Sequence, residues 1–241
     1  MTDTINTSLA VDIKDLVLKI QDHTCLEVPS LQIQKGEAVL IRGENGSGKT
    51  TLLRVLSGLL EPDSGEVAVL GTDIKSLPPA RKDQFRADHI GYIFQRFNLL
   101  PYMPAIDNIL LPCGFSKRRK EQVTRQGTTP QFEAYQLMAQ LKLEDPGRLR
   151  TLTGKLSIGL QQRVAIARAL IGSPDLILAD EPAASLDQAS RKTVYDLLIS
   201  VCRANQSTLI CISHDNNCND AFDRTLSMAD INRAMENNPL W

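Results

Sequence analysis

The chain has no surplus of charge. Its 27 Lys and Arg stand against 28 Asp and Glu, a net charge of -1 over 241 residues. Broad capture of nucleic acid needs a basic face, and this balance argues against it, so no nucleic-acid partner is expected. Long apolar runs are lacking as well. No stretch of about 18 consecutive apolar residues occurs, so nothing in the sequence reads as a membrane span. The opening MTDTINTSLA has neither a basic segment nor an apolar run after it, and no signal peptide is expected. Histidine is scarce (His23, His89, His214). The five cysteines, Cys25, Cys113, Cys202, Cys211 and Cys218, form no C-x-x-C pair and fit no zinc spacing. They read as reduced thiols of a cytosolic protein, because disulfides are rare in that compartment. There is no internal repeat and no low-complexity segment.

What is present is an ordinary globular composition, 42% hydrophobic and 23% charged, in a length that suits one large domain or a core with a modest insertion. Val11–Leu18, Leu31–Ile33 and Ala38–Arg42 read as strands, the last of them buried. A helix is expected from Lys49 to about Ser57, with Gly58 as its stop. Val67–Leu70 and Ile90–Phe94 are further strand candidates. From about Arg96 to Leu143 the pattern turns helical and polar, with a basic run at Lys117–Lys120 and a helix over Gln131–Leu141. The basic run reads as a solvated helix face or loop, with lipid head groups as the alternative. The α/β pattern resumes with a helix at Ser157–Ile171, a buried strand at Leu176–Ala179, a helix at Gln188–Ala204 and a strand at Thr208–Ser213. Alternating strands and helices imply a mostly parallel sheet, whose ligands bind beyond the carboxyl ends of the strands.

Two motifs fall at such ends. Gly43-Glu44-Asn45-Gly46-Ser47-Gly48-Lys49-Thr50, followed by Thr51, fits G-x-x-x-x-G-K-[ST] with a strand before it and a helix after it. The glycines let the backbone form a nest of N–H groups around phosphates, and the helix start adds its positive dipole end. Lys49 is expected to reach the β- and γ-phosphates, and the Thr50 hydroxyl to ligate Mg²⁺. The second motif is Leu176-Ile-Leu-Ala-Asp180-Glu181, an apolar strand ending in two acids. Asp180 is expected to hold Mg²⁺ and Glu181 to polarise the attacking water as general base. Alone, such a pair often marks only a strand entering a loop; together with the cradle, the catalytic reading is favoured.

With these motifs the chain resembles the ABC ATPases over nearly its full length. Leu156-Ser-Ile-Gly-Leu-Gln-Gln-Arg163 is similar to the family's signature. Gln95 matches its Q-loop glutamine, Ser185-Leu186-Asp187 its D-loop and His214 its switch histidine. Gly91-Tyr-Ile-Phe-Gln-Arg-Phe-Asn-Leu-Leu-Pro101 resembles the subgroup serving lipoprotein release, macrolide export and a cell-division relative. The resemblance implies an α/β P-loop NTPase fold. It would have a mostly parallel central sheet, a small N-terminal antiparallel β subdomain and an inserted helical subdomain at 96–159, with 1–95 and 160–241 as the nucleotide-binding core. It also implies ATP with Mg²⁺, hydrolysed between two subunits of a homodimer, on the inner face of the cell membrane. Ser157, Gly159 and Asp187 would complete the opposite subunit's nucleotide site, and Gln95 would sense metal and water. The helical subdomain would carry the groove for an integral membrane permease, with Phe97, Leu99, Tyr102 and Met103 as candidate contacts. Regulatory signalling through a membrane partner without transport is the alternative.

Three departures from the family pattern stand out. Ile158 replaces the first signature Gly, and Leu160 its Gln. If position 158 needs a positive φ, a β-branched residue weakens the site; in helical φ/ψ it costs little. Ile20 occupies the position where an aromatic residue usually stacks on adenine. Met228-Ala-Asp-Ile-Asn-Arg233 replaces a Gly-Arg pair, and no appended regulatory domain is expected.

Overall fold

In the computed structural model, residues 8–142, 146–184, 186, 188–214 and 221–235 are described. The chain begins with a long hairpin, β1 (Leu9–Ile20) and β2 (His23–Gln34). Its turn residues Gln21 and Asp22 both lie at positive φ, 50° and 66°, the conformation a two-residue hairpin needs. β4 (Ser64–Val69) and β5 (Thr72–Asp73) extend this into an antiparallel sheet ordered β2-β1-β4-β5.

The second sheet is parallel, with the order β6-β7-β8-β3-β9, formed by β3 (Ala38–Arg42), β6 (Ile90–Ile93), β7 (Leu176–Asp180), β8 (Thr208–Ile212) and β9 (Arg224–Ser227). β7 and β8 are buried at every position, which is why they read as continuous apolar runs rather than alternations. The α/β class expected from the sequence, with its antiparallel N-terminal sheet, is present.

Two apolar clusters divide the interior. One joins both sheets around α1 (Lys49–Leu56), which buries Leu52, Leu53, Val55 and Leu56. Each such side chain contributes about 1.5–3 kcal/mol of burial. The other joins the parallel sheet to α3 (Ala105–Phe115), α5 (Pro130–Gln140) and α7 (Ile158–Leu170). Between the strands lie α2 (Pro79–His89), α4 (Lys117–Arg125), the short α6 (Pro146–Leu149) and α8 (Gln188–Ala204), and α9 (Met228–Ile231) follows β9.

The basic run of α4 is not one charged face. Lys117, Arg118 and Lys120 are exposed, and Arg118 pairs with Asp175 at 2.8 Å. Arg119 is buried and donates to the carbonyls of Ile171 (3.1 Å) and Ile90 (2.5 Å), tying α4 to the parallel sheet. Burial pushes its guanidinium down to about 10.

Candidate active site

The carboxyl ends of β3, β7 and β8 meet around one acid. The phosphate loop leaves β3 at Gly43 and enters α1 through Gly48, which stands at φ 93°. A Cβ there would lie 2.8 Å from Leu26 and 3.2 Å from the Cys25 carbonyl, so both the conformation and the packing against β2 select glycine. Lys49 is held by its own loop: Nζ donates to the carbonyls of Gly43 (2.8 Å) and Glu44 (2.7 Å). Burial lowers its pKa, opposed by the charges of Glu181 and Asp180. The Ser47 hydroxyl is buried without a hydrogen-bond partner among the described residues. Thr51, the third residue of α1, accepts a 3.6 Å contact from the Cys25 thiol.

Asp180 ends β7, 5% exposed, and hydrogen-bonds the Thr50 side chain. Desolvation raises its pKa against the pull of that hydrogen bond, and the Glu181 charge raises it further. Glu181 turns out of the strand at φ 49°, a conformation costing a non-glycine residue roughly 1–2 kcal/mol. Its N–H donates to the Ile212 carbonyl at 3.0 Å, which anchors the turn to β8. Its carboxylate is met from both sides, by Gln95 Nε2 at 3.4 Å and by His214 Nδ1 at 3.1 Å. Three residues nominated as catalytic, 86 and 33 positions apart in sequence, thus form one cluster. Thr50 and Asp180 supply a hydroxyl and a carboxylate beside the loop. Among the described residues no group of three His, Cys, Asp or Glu could hold a metal unaided. The Thr50 hydroxyl and the Asp180 carboxylate are hard oxygen donors, a set that suits a hard cation also taking phosphate oxygens.

Ser157 and Gly159 lie at the start of α7, where a Cβ on Gly159 would stand 3.4 Å from Leu186. Ser157 is the helix N-cap, yet its side chain makes no cap hydrogen bond. Ile158 is the first helical residue, outside the left-handed region and 61% exposed. Leu160 is partly buried against the core. Of the two replacements, one changes an exposed helix start and the other fills apolar space. Asp187 and Ser185 lie outside the described residues. Ile20 ends β1 at 46% exposure, with no aromatic ring on its side chain to offer a base.

Two supporting residues escaped the sequence reading. Arg168 on α7 donates to the carbonyls of Phe97 and Asn98, both at 2.6 Å, and so fixes the left-handed turn two residues after Gln95. A cation inside the otherwise apolar run Val-Ala-Ile-Ala-Arg168-Ala-Leu was the available signal. The Tyr195 hydroxyl on α8 donates to the Ser213 hydroxyl oxygen at 2.9 Å, in the residue before His214.

A cavity of about 310 Å³ opens beside the Gln95 turn, lined among others by Arg86, Phe94, Asn98, Pro112, Phe115 and Arg168. Phe97, Leu99, Tyr102 and Met103, the four residues nominated for a membrane partner, are not among its lining. Leu99 packs on the core, whereas Tyr102 is 71% exposed.

The ABC transporter family model matches residues 26–184, from β2 through the phosphate loop, α7 and the Asp180–Glu181 turn. The chain is an ABC transporter ATP-binding domain. It is 37% identical over 200 residues to the lipoprotein-releasing system ATP-binding protein LolD of Porphyromonas gingivalis, covering 83% of this chain and 87% of that one. It is 38% identical to the ABC transporter ATP-binding protein YbbA of Escherichia coli, with 82% and 83% covered. It is also 36% identical to the macrolide export ATP-binding/permease protein MacB of Rhodopirellula baltica, covering 90% of this chain but spanning only 31% of that longer protein. Among solved structures it resembles the ATP-binding cassette MJ0796, dimeric and bound to ADP and Pi, with a TM-score of 0.81 and 30% identity over 93% of this chain and 95% of that one. The fold is thus that of the P-loop ABC ATPases, and this ABC domain belongs with the ATP-hydrolysing members.

Proposed function

We propose that this ABC ATPase is the motor of a transporter. Two copies close around ATP and Mg²⁺, and hydrolysis drives a separate integral membrane permease in export or in extraction of a lipoprotein or lipid. The observation that carries the reading is the Glu181 carboxylate, held between Gln95 and His214 at the end of β7, one residue from the Asp180–Thr50 pair. In this reading the N–H groups of residues 43–51 and Lys49 bind the phosphates. Thr50, Asp180 and Gln95 are the residues that would hold Mg²⁺, which when bound neutralises charge on the transferred phosphoryl group. Glu181 takes the proton of the attacking water, and His214 keeps its carboxylate oriented. Ser157, Gly159 and Asp187 serve the nucleotide of the opposite copy.

The likeness to LolD and MacB supports export or extraction over import, and a position on the inner face of the membrane follows from such a partner. No helix among the described residues is long and apolar enough to cross a membrane, which fits a permease supplied as separate spans. We read 96–159 as the inserted helical subdomain and 1–95 with 160–241 as the nucleotide-binding core, with α7 running from one into the other. The test is to purify the chain with its native membrane partner, reconstitute both in vesicles and measure ATP turnover and substrate movement together. ATP-dependent movement supports the motor; robust turnover with no movement of any hydrophobic or lipid-linked cargo would favour signalling without transport.

A further inference from the structure

The segment after β9 departs from the family pattern, and it grips the phosphate loop at two points. α9 opens with Ser227 as its cap, whose hydroxyl accepts from the Ala229 N–H at 3.2 Å. Met228 then packs so closely on Gly43 that a Cβ on the glycine would stand 2.8 Å from the methionine Cβ. Four residues later Asn232, 1% exposed, inserts its carboxamide between β2 and the loop. Its Nδ2 donates to the carbonyls of Cys25 (3.0 Å) and Ser47 (3.1 Å). Its Oδ1 accepts from the N–H groups of Glu27 (2.8 Å) and Ala234 (3.2 Å). Two carbonyls face the amino side and two N–H groups face the oxygen, so the amide has one workable orientation.

We propose that Asn232 is a positioning residue for phosphate binding, acting through the peptide between Ser47 and Gly48. In a trans peptide the C=O and N–H lie in one plane and point in opposite directions. Pinning the Ser47 carbonyl toward Asn232 therefore turns the Gly48 N–H to the side away from the strut, where it is free to meet a phosphate. Gly48 sits at φ 93°, where glycine is unusually free to rotate, so this is the peptide most in need of an external restraint. The tail thereby adds, with one buried carboxamide, a restraint on the loop from outside the loop's own sequence. The inference rests on reading residues 43–50 as the phosphate cradle.

The experiment compares Asn232→Ala and Asn232→Asp with the parent chain. It uses equilibrium titration of a fluorescent ATP analogue and steady-state ATP hydrolysis, both at pH 8. The aspartate keeps the oxygen that accepts from Glu27 and Ala234, and so keeps the tail on β2, but it sets a carboxylate oxygen against the Ser47 and Cys25 carbonyls. Both variants are expected to bind the analogue at least fivefold more weakly, Asp the weaker of the two. KM for ATP should rise in proportion, while kcat at saturating ATP stays within twofold. Asn232→Asp with parental affinity would overturn the proposal, as would a fall in kcat at unchanged KM. Should the Asp variant fail to give a cooperative melt, Asn232→Ala decides: parental affinity in that variant overturns the proposal equally. Absence of analogue binding by the parent chain would instead count against the phosphate cradle itself.

Discussion

At the phosphate loop, the side chains of the hydrolytic cluster find their partners within the chain. Lys49 rests on two loop carbonyls, Thr50 on Asp180, and Gln95 and His214 on Glu181. At the start of α7 the opposite holds: Ser157 caps no N–H group, and Ile158 presents an exposed apolar side chain beside it. The first region has its geometry fixed by one polypeptide. The second leaves a hydroxyl and a helix N-terminus facing outward, which is the chemistry an anion brought from outside would meet. The contrast teaches that the Glu181 cluster and the start of α7 are stabilised in different ways. The Glu181 turn is strained and tied to β8 through the Ile212 carbonyl, whereas the start of α7 is an ordinary helix start.

The comparison breaks first at Asp180. Its carboxyl is raised by burial and by Glu181. A folded-state value above the unfolded one means that the fold holds this proton more tightly than the open chain does. Stability from this group therefore falls as pH rises from the unfolded value, about 3.9, to the folded one, and the cost stays constant above that. Asp180→Asn keeps an acceptor for Thr50 and removes the buried charge. Thermal melts without nucleotide should show the variant more stable than the parent at pH 7, with the gap closing as pH falls below the folded carboxyl's pKa. Mg²⁺-dependent ATP hydrolysis should drop by roughly a hundredfold or more. An Asn variant less stable than the parent at pH 7 would mean that Asp180 is paid back within the chain.

The second region sharpens the contrast through its two unusual residues, which separate cleanly. Leu160→Gln sets a polar group against the apolar core and should cost about 1–3 kcal/mol of stability in urea unfolding. Ile158→Gly removes an exposed side chain and should cost no more than about 1 kcal/mol, the helix penalty of glycine. Only the glycine variant should change ATP-dependent self-association, in the direction of tighter association, because it lets a phosphate approach the helix start more closely. A large stability loss from Ile158→Gly, or none from Leu160→Gln, would reverse the assignment of the two positions.

Much of this was legible in the sequence, because the phosphate loop and the strand-end acids are local motifs whose partners sit at strand termini. The elements that escaped lacked a local signal. β2 runs over His23–Gln34, far beyond the expected Leu31–Ile33, because Pro29 argues against a strand; it is tolerated because β2 is the sheet's edge. α2 buries none of its residues, so its sequence carries no apolar stripe. The expected helical run from Arg96 begins only at Ala105, since Phe97 and Asn98 take left-handed backbone under the hold of Arg168. β9 is a short edge strand, and Asn232 contacts residues 185 and 207 positions away, a relation no periodicity reveals.

The most direct test of the account asks whether the outward-facing signature meets the hydrolytic cluster of a second copy. Glu181→Gln should bind ATP but hardly turn it over, so the closed state accumulates. Size-exclusion chromatography with light scattering, at saturating ATP and Mg²⁺, should then give twice the 26.6 kDa mass of one chain. Adding Ser157→Glu, whose carboxylate would repel the γ-phosphate, should return the protein to 26.6 kDa with ATP still bound. A monomer in the Glu181→Gln variant, or a dimer indifferent to Ser157→Glu, would contradict the composite site.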